Sequence, residues 1–84
     1  MDKDCHRVFE RLYEHRYSDK FLELADFADL GLPNNQIQER LKDLCKLGWV
    51  RVNVHHTSQD AGGVDRVAAT ITIEGCEAFE HNYD

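Results

Sequence analysis

A run of amide side chains, followed by charged ones, lies in the middle of this 84-residue chain. Asn and Gln can form paired hydrogen bonds with the edge of adenine, and Glu can accept a hydrogen bond from cytosine. Arg and Lys neutralise phosphates. The residues with this chemistry are Asn34, Asn35, Gln36, Gln38, Glu39, Arg40, Lys42, Lys46 and Arg51. This segment is therefore the first candidate for a binding surface.

The charge of this segment differs from that of the whole chain. Ten Lys and Arg residues against 16 Asp and Glu residues give a net charge of −6 with neutral histidines. Residues 33–51 contain four basic and two acidic side chains, a local surplus of two positive charges. Because phosphate neutralisation supplies most of the generic affinity for nucleic acids, the overall charge disfavours such binding and the local surplus favours this segment.

The histidines and cysteines are spaced unfavourably for metal or nucleophilic chemistry. Zinc ligands usually come in close pairs such as Cys-x₂₋₄-Cys or His-x₃₋₅-His, which the sequence lacks. His55 and His56 are adjacent, so on a strand they point to opposite faces. Cys5 and His6 lie about 100° apart on a helix. The sequence also contains no glycine-rich phosphate loop or hydrolase motif. We expect no metal, no cofactor and no enzymatic activity.

Length and composition indicate one globular domain, residues 1–84. No apolar run approaches the roughly 18 residues of a membrane span, and the N-terminus has no apolar signal region. We therefore expect a cytoplasmic protein without a membrane partner. Cys5, Cys45 and Cys76 are odd in number and far apart, which predicts reduced thiols that pack as small core residues.

Apolar periodicity predicts the element order helix, helix, helix, strand, strand, helix. The predicted helices cover residues 4–16, 21–30 and 34–47, and a short closing helix follows Thr72. The strands cover residues 49–54 and 66–73, and the polar loop 57–65 joins them as an antiparallel hairpin. Gly31 and Gly48 end the second and third helices.

The apolar stripes define which side of each helix is buried. The predicted core positions are Cys5, Val8, Phe9, Leu12 and Tyr13 on the first helix, Phe21, Leu24, Ala25, Phe27 and Ala28 on the second, and Ile37, Leu41, Leu44 and Cys45 on the third. This arrangement predicts that the side chains of Asn34, Asn35, Gln36 and Gln38 lie in solvent. The alternative interpretation is that these four amides only cap the start of the helix and are hydrated.

The segment from Gly31 to Val50 resembles the helix-turn-helix of winged-helix regulators. A glycine turn and a leucine lead without a gap into a helix with three spaced aliphatic residues, a terminal glycine and a hydrophobic strand. These places are held by Gly31, Leu32, Ile37, Leu41, Leu44, Gly48, Trp49 and Val50. Thr72 and Gly75 are similar to the Thr-x-x-Gly that often follows the wing in this family.

The resemblance implies an α+β winged helix with a three-helix core, a two-stranded wing and a short C-terminal helix. It also implies a small DNA-binding protein of the transcription-regulator type. The third helix would enter the major groove of double-stranded DNA, with amides at the bases and Arg40, Lys42, Lys46 and Arg51 on phosphates. Arg66 is the basic residue beside the wing. The first helix or the last helix, with the exposed aromatic residues Tyr17 and Tyr83, would form a homodimer surface.

A second interpretation stays open, in which the same fold binds a protein partner and never contacts nucleic acid. The net charge of −6 and the acidic residues Asp60 and Asp65 of the loop favour it. Glu23, Asp26 and Asp29 make the second helix acidic as well.

Overall fold

Helices surround a small antiparallel sheet in the structure, a computed structural model that describes residues 1–55 and 66–81. The α-helices are α1 (Lys3–Glu14), α2 (Asn34–Lys46) and α3 (Ile73–Glu80), and a 3-10 helix covers Leu24–Leu30. The strands are β1 (Leu22–Glu23), β2 (Val50–His55) and β3 (Arg66–Ile71). His56, the predicted loop 57–65 and Tyr83 lie outside the described residues.

The predicted first helix is confirmed as α1. The Asp2 carboxylate accepts the backbone N–H of Cys5 at 2.7 Å and so caps the helix start. Cys5, Val8, Phe9 and Leu12 are buried along one stripe, as their spacing predicts. Because α1 contacts α2, α3, the 3-10 helix and β3, its stripe is the centre of the core.

The prediction of an α-helix over residues 21–30 is wrong. Leu22 and Glu23 instead form β1 and pair with Ala69 and Ala68 of β3. The 3-10 helix follows, and the Asp26 carboxylate accepts the Glu23 backbone N–H at 2.8 Å at its start.

A 3-10 helix has three residues per turn, so its buried side recurs every third residue. Leu24, Phe27 and Leu30 follow that period and pack on the core, whereas Ala25 and Ala28 are exposed. These two alanines were predicted core positions, and the tighter period turns them to solvent.

Gly31 ends the 3-10 helix with a left-handed backbone (φ 75°), as predicted. Pro33 then holds the position before α2 in an extended conformation. Ile37, Leu41 and Leu44 are almost completely buried. Cys45, predicted to join them, is exposed because it lies about 100° further around the helix than Leu44.

The sheet has three strands in the order β1-β3-β2, one more than predicted. The predicted antiparallel pairing of the hairpin is confirmed, with Val50 opposite Ile71 and Val52 opposite Ala69. Alternate side chains point to one face, so Val50, Val67 and Ala69 reach the core.

The Thr72–Gly75 pair connects the end of the sheet with the end of α2. The Thr72 hydroxyl accepts the Gly75 N–H at 3.0 Å and donates to the Gly48 carbonyl at 2.7 Å. A Cβ on Gly75 would lie 2.0 Å from the Trp49 carbonyl oxygen, so α3 can approach this closely only with glycine there. Ile73, predicted on the buried side of the strand, is the first residue of α3 and is exposed.

Burial of α2 by its aliphatic stripe predicts a strong dependence of stability on Leu41, whose side chain is 1% exposed. We expect Leu41→Ala to lower the free energy of unfolding by about 2–5 kcal/mol, because it removes transfer energy and leaves a cavity. Leu47→Ala, six residues further along and 56% exposed, should cost no more than about 0.5 kcal/mol. Urea unfolding checks both, and equal losses would contradict the assigned orientation of α2.

An ion pair between the 3-10 helix and α1 predicts that the stability of the fold decreases at acid pH. Two nitrogens of the Arg11 guanidinium donate to the two Asp29 carboxylate oxygens at 2.8 and 2.7 Å. This pair lowers the pKa of Asp29. Because the pKa of Asp29 is lower in the native state than its unfolded value of about 4, its carboxylate stabilises the fold at pH values above about 4. This stabilisation is lost as the pH falls through the native pKa.

We therefore expect Asp29→Asn to lower the urea midpoint near neutral pH, with the difference from the parent protein shrinking below about pH 4. Asp19→Asn changes another exposed aspartate and serves as the control. A difference that persists unchanged to pH 2 would contradict the ion-pair explanation.

Candidate nucleic-acid interface

The side of α2 opposite its buried residues presents a continuous polar stripe. Asn35, Glu39, Lys42 and Lys46 follow one another at spacings of four, three and four residues, so they lie on one face. All four are exposed. We call these four residues the exposed stripe. It places one amide and two ammonium groups of the predicted site on a common surface.

The other amides lie beside this stripe. Asn34 is exposed in the first turn, as expected. The expectation of full exposure is wrong for Gln36 and Gln38, which are half-buried. They precede and follow the buried Ile37, so each side chain lies about 100° around the helix from the buried direction. Each still has part of its surface in solvent.

Arg40 lies on the flank of α2 against the N-terminus of α1. Its Nε is 3.6 Å from the Asp2 carboxylate, and a terminal nitrogen is 3.9 Å from Glu39. The side chain is 21% exposed, and its Nε is buried without a hydrogen bond of good geometry. Arg40 therefore connects α2 with α1, and its positive charge is balanced by carboxylates of the same chain.

The two remaining arginines are on the sheet. Arg51 is exposed on β2 opposite Thr70 of β3, on the face away from the core. Arg66, at the start of β3, donates to the Glu23 carboxylate at 2.7 Å. That contact raises the pKa of Arg66 and compensates its charge.

The exposed surface of α2 carries charges of alternating sign. Along α2 the ammonium groups of Lys42 and Lys46 are interspersed with the exposed carboxylates of Glu39 and Asp43. Among the described residues, Lys42, Lys46 and Arg51 are the predicted cations without a carboxylate within 4.0 Å.

The residue that sequence reasoning missed is Asp2. It both caps α1 and pairs with Arg40. Asp2 lies far from α2 in the sequence, and no local pattern signals a contact that exists only once α1 and α2 have packed together.

The described residues were also compared with the requirements of metal binding, membrane spanning and thiol chemistry. Within residues 1–55 and 66–81, no three His, Cys, Asp or Glu side chains are grouped to hold a metal ion. No helix in those ranges is long and apolar enough to cross a membrane. Burial raises the pKa of the Cys5 and Cys76 thiols, which disfavours the reactive thiolate.

Comparison with solved structures identifies the fold. A candidate DNA-binding protein from Ralstonia eutropha JMP134 superposes with a TM-score of 0.76 at 22% identity, over 100% of this chain and 99% of that one. A mutant of MepR from a multidrug-resistant S. aureus clinical isolate superposes with a TM-score of 0.67 at 17% identity. The match covers 96% of this chain and 54% of the MepR chain.

These similarities show that the chain has the winged-helix fold. The 3-10 helix and α2 form its helix-turn-helix, and β2 and β3 form its hairpin. The predicted fold class is thereby confirmed. No known family profile matches the sequence, and no curated protein matches it.

Proposed function

We propose that this protein binds double-stranded DNA as a small winged-helix protein of the transcription-regulator type, with α2 in the major groove. The observation that carries the proposal is the exposed stripe on the second helix of the helix-turn-helix, held outward by the burial of Ile37, Leu41 and Leu44. Similarity to a candidate DNA-binding protein over its full length supports it.

The order of side chains along α2 suits this role. In helix-turn-helix proteins the N-terminal part of the second helix contacts the base edges. Asn34 and Asn35 lie there, and the solvent-facing parts of Gln36 and Gln38 flank them. Lys42 and Lys46 lie in the later turns, where the helix leaves the groove and phosphates come within reach. Amides thus face bases and ammonium groups face the backbone.

Two of the predicted arginines are already paired with carboxylates of the same chain. Arg40 pairs with Asp2, and Arg66 pairs with Glu23. Each would have to leave its carboxylate before it could bind a phosphate. We therefore assign the phosphate contacts first to Lys42, Lys46 and Arg51. With few phosphate contacts and a net charge of −6, binding should be weak, and the number of those contacts should set the slope of its salt dependence.

The double substitution Lys42→Gln and Lys46→Gln tests the interface. Each phosphate contact contributes about 0.9 to the slope of log K against log salt, so we expect a slope lower by about two. At about 50 mM salt, where phosphate contacts are strongest, affinity should fall by tenfold or more. Fluorescence anisotropy with pooled random duplexes measures both quantities.

The matched control is Lys3→Gln with Lys20→Gln. It removes the same charge from two exposed lysines outside α2. An equal loss in the two double variants would show that only overall charge matters and would contradict an interface on α2.

Glu39 gives a second and independent test, because its carboxylate lies on the exposed stripe among the groups assigned to DNA. We expect Glu39→Gln to tighten binding to pooled duplexes by about threefold at low salt, since it removes a charge repelled by phosphate. Glu10→Gln, on the exposed side of α1, is the control. A loss of affinity in the Glu39 variant would instead assign the carboxylate to a cytosine contact.

A protein-interaction module is the second candidate. The alternating charges on α2 and the balanced Arg40 and Arg66 favour it, because a surface of mixed sign suits a protein partner as well as DNA. The salt titration separates the two functions. No complex with any pooled duplex at about 50 mM salt would leave protein recognition as the function of this face.

A further inference from the structure

A cavity of about 370 Å³ lies where the start of α1 meets the end of α2. Its volume falls within the roughly 300–1,000 Å³ that is usual for sites that bind small organic molecules. The cavity shares no residue with the exposed stripe, so it is separate from the surface assigned to DNA. Its lining residues are Met1, Asp2 and Cys5 on the α1 side and Asp43, Leu47 and Trp49 on the α2 side.

Most of the cavity wall is apolar. Met1 is 53% exposed and Leu47 is 56% exposed, so two of the five exposed large hydrophobic residues in the described part of the chain lie at this cavity. Cys5 is buried, which places the inner end of the cavity against the core. Trp49 is half-buried, and its indole stacks on the ring of Phe9 with the centroids 5.4 Å apart. Such a lining suits the apolar body of an organic molecule.

The two carboxylates at the cavity differ in how far their charge is balanced. One oxygen of Asp2 accepts the Cys5 N–H at 2.7 Å, and the Nε of Arg40 is 3.6 Å from the same oxygen. Asp43 is exposed and has no cationic group within 4.0 Å among residues 1–55 and 66–81. Asp43 therefore supplies a negative charge that no ion pair of the described chain compensates.

The Cys5 thiol indicates the sign of the electrostatic potential in the cavity. Burial is the first cause of its raised pKa, and the carboxylates of Asp2 and Asp43 raise the pKa further. Arg40 and the N-terminal ammonium of Met1 lower it. The effect of Arg40 is smaller than that of Asp2, and the effect of the ammonium is smaller than that of Asp43. Negative charge therefore outweighs positive charge at this thiol, which favours a cation in the cavity.

We propose that this cavity binds a small organic cation with an apolar body and an ammonium head. The body would lie against Cys5 and Leu47, and the ammonium would face the Asp43 carboxylate. The indole of Trp49 adds to the attraction, because the face of an aromatic ring attracts cations. Asp43 would repel a carboxylate of the same size, and a neutral molecule would have the apolar contacts alone.

This inference goes beyond DNA binding and does not rest on it. The site is assigned from the cavity, its apolar lining and its charge, and the experiment uses the protein without DNA. Failure of the cation site would leave the proposed function in place. Failure to bind duplexes would likewise leave the cation site in place.

Trp49 is the only tryptophan of the chain, so its fluorescence reports on the cavity directly. Three probes of similar size differ in charge at neutral pH: phenylpropylammonium, phenylpropanol and phenylpropanoate. We expect a saturable fluorescence change with the cation. Its affinity should be about fivefold higher than that of the alcohol and about tenfold or more higher than that of the carboxylate.

Asp43→Asn separates the effect of charge from that of apolar contact. We expect it to weaken binding of phenylpropylammonium about fivefold and to leave phenylpropanol within about twofold of the parent value. An acidic residue in the last turn of a helix opposes the helix dipole, so this variant should remain folded. Asp19→Asn changes an exposed aspartate outside the cavity and should alter neither affinity.

Leu47→Ala tests the apolar wall, and the exposure of Leu47 makes this variant compatible with the fold. We expect it to weaken binding of the cation and of the alcohol by about threefold each, because it removes apolar area from both complexes.

The proposal is overturned if phenylpropylammonium produces no saturable change below about 10 mM. Equal affinities for the three probes would also overturn it, since the cavity would then not select a cation. So would an equal loss of cation affinity in Asp43→Asn and Asp19→Asn, which would show that only overall charge matters.

Discussion

The packing of Ile37, Leu41 and Leu44 against α1 and the sheet orients α2, and the other surface features follow from that orientation. A helix can bury only part of its circumference, so fixing one stripe inside fixes the opposite stripe outside. Asn35, Glu39, Lys42 and Lys46 are exposed for this reason. The same constraint puts Gln36 and Gln38 at the margins, half in solvent and half against the core.

Ion pairs between distant elements then decide which charges remain available. Arg11, Arg40 and Arg66 each bind a carboxylate from another part of the fold. This internal pairing compensates the positive charge of those three arginines, whereas Lys42, Lys46 and Arg51 of the predicted site have no carboxylate within 4.0 Å among the described residues. Arg16 differs, because aromatic rings and not a carboxylate hold it in place. The structure thus separates arginines that join elements from cations that face outward.

The junction of α2, β2 and α3 supplies the second constraint on the fold. Thr72 bonds to the Gly48 carbonyl and caps α3, while Gly75 allows α3 to reach the Trp49 carbonyl. This contact sets where α3 starts, and Ile73, the first residue of α3, is exposed. A threonine and a glycine three residues apart therefore fix the position of α3 against the end of α2.

The sequence by itself determined α1, α2, the hairpin and the glycine stops, because helical and strand periods are local properties of neighbouring residues. It therefore located the stripe with Asn35, Lys42 and Lys46. Only the tertiary structure decided that residues 22–23 join the sheet. The contact of Arg40 with Asp2 was decided there too. Strand pairing and ion pairs join residues far apart in the chain, and their energies exist only after the elements pack, so no local pattern encodes them.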